Sequence, residues 1–128
     1  MSDMDEIKEW LKVAEDDLIS AKILLGNDPP ILVTACFHCQ QVVEKSLKAL
    51  LTWKDQRFEK VHSIGYLLEL CENHGFIFDY IKVKAEILTS YAVETRYPGA
   101  DEISLEEARE AFDTTEIIYK FVINLLKV

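Results

Sequence analysis

From Ile31 to Trp53 the chain runs about six helical turns without a glycine or proline, and most of its residues are apolar. A segment of that length and character favours a helix sunk in the middle of a helical bundle. At about 100° per residue, Cys36, Cys39, Val43, Leu47 and Leu50 fall on one arc. His38, Gln41, Lys45 and Lys48 gather within about 80° of one another on a separate arc. A plain surface helix scatters Glu and Lys over its polar side. This narrow line of His, Gln and Lys instead suits contact with a polar ligand or another protein.

The rest of the chain supplies helices to surround that segment. Ile7, Trp10, Leu11, Ala14, Leu18, Ala21 and Leu25 recur at helical spacing and stop near Gly26-Asn27, where Asp28-Pro29-Pro30 breaks the chain. After a polar connection at 54–60, a short third helix carries Ile64, Leu67, Leu68 and Cys71 on its buried stripe. Ser63 is its expected N-cap and Gly75 its left-handed stop. The fourth helix is expected from near Asp79 to Pro98-Gly99, with Tyr80, Val83 or Lys84, Ile87, Leu88, Tyr91 and Thr95 following its period. Ser104-Leu105-Glu106-Glu107 is a capping box that opens the fifth. Its wide apolar face follows: Ala108, Ala111, Phe112, Thr115, Ile118, Tyr119, Val122, Leu125 and Leu126. No strand pattern, internal repeat or interdomain linker interrupts this order. The expectation is one all-α domain over residues 1–128, an up-and-down four-helix bundle with one additional short helix.

A net charge of −9 argues against broad, sequence-independent nucleic-acid binding, which needs clustered Lys and Arg. No apolar run approaches the roughly 18 residues that span a bilayer, and the start, Met1-Ser2-Asp3-Met4-Asp5-Glu6, is acidic. A cytoplasmic protein with no membrane contact is expected. Cys36-(x2)-Cys39 and Cys71-(x2)-His74 together offer a zinc-like set of three Cys and one His. All three cysteines lie on apolar arcs of helices, where a free thiol behaves as a small buried hydrophobe. No metal and no cofactor are therefore assigned.

A set of pieces runs in order along nearly the whole chain. Helix one holds Trp10-(x3)-Ala14-(x2)-Asp17-Leu18-(x2)-Ala21. Helix two holds Cys36-Phe37-His38-(x)-Gln40-Gln41-(x2)-Glu44-Lys45-(x)-Leu47-Lys48-Ala49-Leu50. His62 precedes helix three, and Tyr91-(x4)-Arg96-Tyr97-Pro98 closes helix four. In these pieces the chain resembles the HEPN domain of higher eukaryotes and prokaryotes. The resemblance implies an all-α bundle, often dimeric and frequently paired with a minimal nucleotidyltransferase, in some cases as a toxin–antitoxin system. Nucleotide binding has been proposed for such proteins, and many are metal-independent ribonucleases carrying Arg-x(4–6)-His near the end of the bundle. Here the equivalent stretch, Arg96-Tyr97-Pro98-Gly99-Ala100-Asp101-Glu102, has no His, and none occurs after His74. Arg57-(x4)-His62 matches the motif literally, but in the connection between helices two and three.

No catalytic residue is assigned. The candidate ligand-binding set is His38, Gln41, Lys45, His62, Tyr91, Arg96 and Tyr97. Lys45 and Arg96 suit a phosphate, and Tyr91 or Tyr97 a base. The plainer alternative makes the helix-two line structural or dimer packing, with Glu44 and Lys48 forming an i, i+4 pair on the helix surface. The expected function is a non-catalytic HEPN-type homodimer, nucleotide-binding or a nucleotidyltransferase-partner subunit of a toxin–antitoxin-like pair. The alternatives are a metal-independent ribonuclease and a pure dimerisation or protein-interaction module. The wide apolar faces of helices two and five would serve a twofold dimer.

Overall fold

The apolar segment is one helix, and the molecule is arranged around it. The structure is a computed structural model that describes residues 3–92, 98–99 and 102–127. Its α-helices are α1 (Asp3–Gly26), α2 (Leu32–Trp53), α3 (Ile64–Glu72), α4 (Lys82–Ile87) and α5 (Leu105–Leu126). A 3-10 helix, Leu88–Ala92, continues α4. There is no strand among the described residues, and the fold is an all-α bundle.

Cys36, Cys39, Val43, Leu47 and Leu50 are all fully buried, and so are Ala35, Val42, Ser46 and Ala49 on another side of α2. α1 packs along α2 most extensively, α5 lies against both, and α3 and the 3-10 helix cover the remaining flank. Ala14 and Ala21, fully buried, let α1 come close. Each of Leu47, Leu50 and Leu51 contributes about 2 kcal/mol by leaving water. Between α1 and α2 the Asn27 side chain donates to the Pro29 carbonyl at 2.8 Å, and the Ile31 N–H donates to the Leu24 carbonyl at 3.0 Å. That tight turn makes the two helices antiparallel neighbours.

The expected caps form. The Ser63 hydroxyl accepts from the Tyr66 N–H, and Ser104 and Glu107 make a reciprocal capping box. Gly75 adopts φ +87°. Its N–H donates to the Glu72 carbonyl at 2.9 Å while the Phe76 N–H reaches the Cys71 carbonyl at 3.3 Å, a Schellman ending. After α2, Asp55 fills the same left-handed role at φ 53°, with Gln56 N–H donating to the Leu51 carbonyl at 2.9 Å.

The fourth segment departs from expectation. It becomes α-helical only at Lys82, and after six residues it tightens into the 3-10 turn. Its buried stripe is Ile81, Ala85, Leu88 and Tyr91, whereas Tyr80, Val83 and Ile87 are 65%, 73% and 55% exposed. The segment holds two apolar stripes at helical period, and periodicity alone does not choose between them. Phe78 does: fully buried and edge-on to Phe121 with ring centroids 5.3 Å apart, it anchors the entry so that Ile81 turns inward. Thr95 lies outside the described residues. Gly99, at φ +88°, sits in a turn with Pro98.

Ser46 is fully buried, and its hydroxyl has no hydrogen-bond partner among the described residues. Replacing an unsatisfied buried hydroxyl by a methyl group removes a desolvation penalty of about 1 kcal/mol or more. Ser46→Ala is expected to raise the urea midpoint with no change in slope; a lowered midpoint would show that the hydroxyl is satisfied.

Candidate functional site

The polar line of α2 is drawn inward onto two carboxylates. Asp17 of α1 receives His38 Nδ1 at 2.7 Å on one oxygen and Lys45 Nζ at 3.0 Å on the other. Lys45 also donates to Gln41 Oε1 at 2.9 Å, and Gln41 Nε2 donates to Gln40 Oε1 at 2.6 Å. Gln40 Nε2 then bonds Glu44 Oε1 at 3.0 Å and the His62 carbonyl at 3.1 Å. Glu44 closes the chain: Lys48 Nζ lies 3.2 Å from one carboxylate oxygen, and His62 Nδ1 lies 2.7 Å from the other. A carboxylate only accepts, so each of these imidazoles presents Nδ1–H to it.

Burial gives the line its character. Gln40 is fully buried, Glu44 is 3% exposed and Lys48 7%. Lys48 Nζ sits 5.5 Å from the Trp10 ring centroid and 5.8 Å from that of Phe58. The i, i+4 pair expected on the helix surface is therefore made, but inside. Trp10 and Phe58, themselves in contact at 6.3 Å, close over Lys48 and hold the α2–α3 connection against α1. His62 is the exception, with 62% of its side chain exposed.

Of the sequence-assigned residues, the structure joins His38, Gln41, Lys45 and His62 in this one network. Tyr91 stands apart, buried on the 3-10 helix beside a cavity of about 100 Å³ lined by Lys84, Glu107 and Glu110. Its phenol is pushed up to about 12, chiefly by burial. Arg96 and Tyr97 lie outside the described residues.

Asp17, Gln40 and Glu44 hold the network together and were not assigned to the site from sequence. A signal existed for Asp17: it stands three residues after Ala14 and four before Ala21, inside the apolar stripe of α1. A carboxylate in such a position needs a partner.

The thiols behave as core. Cys36, Cys39 and Cys71 are free and fully buried, and burial pushes them up to about 11, about 12 and about 12. His74 Nε2 lies 2.9 Å from Gln56 Oε1, which ties the end of α3 to the preceding connection. Among the described residues no group of three or more His, Cys, Asp or Glu is placed to hold a metal ion. No helix among them is long and apolar enough to cross a membrane.

Comparison with known proteins bears on this geometry. The family profile described as HEPN domain matches residues 7–126. No curated protein matches the chain. The crystal structure of TT1696 from Thermus thermophilus is similar, with 30% identity, a TM-score of 0.80, and coverage of 92% of this chain and 96% of that one. ST0689, described as an archaeal HEPN homologue, has 24% identity, a TM-score of 0.70, and coverage of 93% and 96%; it supports the fold alone.

Two outcomes follow from the network and the thiols. Glu44→Ala leaves Lys48 buried without its counter-charge and is expected to cost about 3–5 kcal/mol in urea unfolding. His62→Ala, at an exposed position, is expected to cost about 1 kcal/mol or less; equal losses would refute this division. The folded thiols keep protons that unfolded thiols lose above their ordinary value of 9.0. Their contribution to stability is thus whole below pH 9 and falls as pH rises towards 12. An aromatic disulfide reagent should label none of the three in the native protein at mildly alkaline pH, and all three in denaturant. Rapid native labelling would contradict the buried assignment.

Proposed function

The chain belongs to the HEPN domain family, and we propose that it is a non-catalytic, homodimeric subunit that acts through a protein partner. A minimal nucleotidyltransferase, in a toxin–antitoxin-like pair, is the partner the family resemblance implies. The observation that carries this reading is the occupation of the α2 cations. His38 and Lys45 are held by Asp17, and Lys48 by Glu44. A phosphate placed on this line would have to displace partly or fully buried carboxylates, which is unfavourable. The line therefore acts as a frame that fixes α1, α2 and the connection to α3. Nucleotide binding enters the same reading at its edge, through the exposed His62; Arg96 and Tyr97, the phosphate and base contacts expected from the sequence, lie outside the described residues.

One observation favours a second reading, metal-independent RNA cleavage. Glu44 fixes the His62 tautomer at 2.7 Å while the ring remains exposed, an arrangement suited to proton transfer at Nε2. Arg57, five residues earlier, is exposed as well.

Co-expression with a tagged nucleotidyltransferase encoded beside this gene tests the main proposal. A complex that survives size exclusion is expected, and calorimetry of the purified protein with ATP reads the nucleotide part. Single-stranded RNA incubated with the protein and a chelator is expected to stay intact. Cleavage that persists with chelator and vanishes in His62→Ala would replace the main reading with the second. The absence of any complex would overturn partnership with that protein.

A further inference from the structure

α4 and the outer side of α5 carry apolar side chains that none of the described residues covers. Val83 and Ile87, one turn apart on the outward side of α4, are 73% and 55% exposed, and Tyr80 beside them 65%. Tyr80 lines a groove between α4 and α5 together with Lys84, Leu105, Arg109, Asp113 and Ile117. α4 thus turns Ala85 to the core and leaves Val83 and Ile87 in water among the charged Lys82, Lys84 and Glu86.

The α5 wall indicates what can cover it. Leu105, Arg109, Asp113 and Ile117 follow one another at i+4, so they form a single stripe along more than three turns of helix. Leu105 and Ile117 are 37% and 47% exposed, and Arg109 and Asp113 are exposed between them. Among the described residues neither Arg109 nor Asp113 takes an ion-pair partner, whereas Lys84 on the opposite wall pairs with Glu110 at 3.2 Å. The order apolar, plus, minus, apolar is symmetric about the level of Ala111 in position and opposite in charge. Laid antiparallel on an identical stripe, Arg109 of each copy meets Asp113 of the other, and Leu105 meets Ile117. Every contact occurs twice, as a twofold interface requires.

We propose that this stripe is where a second copy of the chain docks, in an antiparallel α5–α5 interface with its twofold axis at the level of Ala111. The assignment rests on the homodimeric part of the proposed function and names its surface. The cost of bringing together two chains of net charge −9 is offset locally by opposite charges at the contact.

Sedimentation equilibrium of the full chain tests it through a charge swap. The wild type is expected to be dimeric. Arg109→Asp and Asp113→Arg each place like charges opposite one another twice, and each should weaken the dimer at least about tenfold. The double variant R109D/D113R restores the pairing and should recover dimerisation to within about threefold of wild type. Circular dichroism should show the same helix content in all four proteins, since both positions are exposed. A dimer indifferent to both single changes, or one the double swap does not rescue, would overturn this interface while leaving the homodimer intact. A monomeric wild type would overturn both.

Discussion

Glu44 is buried at 3% exposure, and the arrangement of three elements depends on what its two oxygens do. One faces Lys48, whose ammonium is buried beside Trp10 and Phe58 and needs a counter-charge there. The other faces His62 and so ties the α2–α3 connection to the middle of α2. Through Gln40, Gln41 and Lys45 the same network reaches Asp17 and therefore α1. An all-apolar α2 of similar volume could be as stable or more so, because desolvating ions offsets much of their attraction. What the network adds is discrimination. Sliding α1 along α2 by one turn would preserve much of the apolar contact but would part Asp17 from His38 and Lys45.

The helices were legible because their punctuation is local. Ser63, Gly75 and the Ser104–Glu107 box act within a few residues of themselves, and each stands where its side chain or backbone angle requires. The phase of α4 was not legible. Tyr80, Val83 and Ile87 compete with Ile81, Ala85 and Leu88 at the same period, and the choice is made by Phe78 meeting Phe121, a contact between distant parts of the chain. The network was half legible for the same reason. The narrow His–Gln–Lys line shows on a helical wheel. Its burial depends on α1 and Phe58 arriving from elsewhere, so a pair that reads as surface decoration becomes an internal one.

That half-legibility changes the chemistry the residues can perform. A line of His, Gln and Lys facing water would be a receptor for anions. The same line facing Asp17 and Glu44 is already neutralised, and its groups are oriented by one another rather than by a ligand. The exception is His62, whose ring is fixed from inside and exposed outside. Whether such a group transfers protons depends on what is brought against it. A frame that fixes one imidazole at the surface therefore leaves the outcome to a partner or a substrate.

The distribution of polarity completes the argument. This chain places ion pairs in its interior at Glu44–Lys48 and leaves Val83, Ile87 and Ile117 in water. A self-sufficient monomer has no reason to favour that inversion, since exchanging the two classes of side chain would remove a desolvation cost and gain apolar burial. The inversion makes sense if the interior ions set the register of the helices and the exterior apolar groups are buried by association. On that view the rigid frame and the uncovered groove are parts of one design. The first holds α2 and its neighbours in place, and the second presents α4 and α5 as a surface whose stripe of Leu105, Arg109, Asp113 and Ile117 complements its own copy.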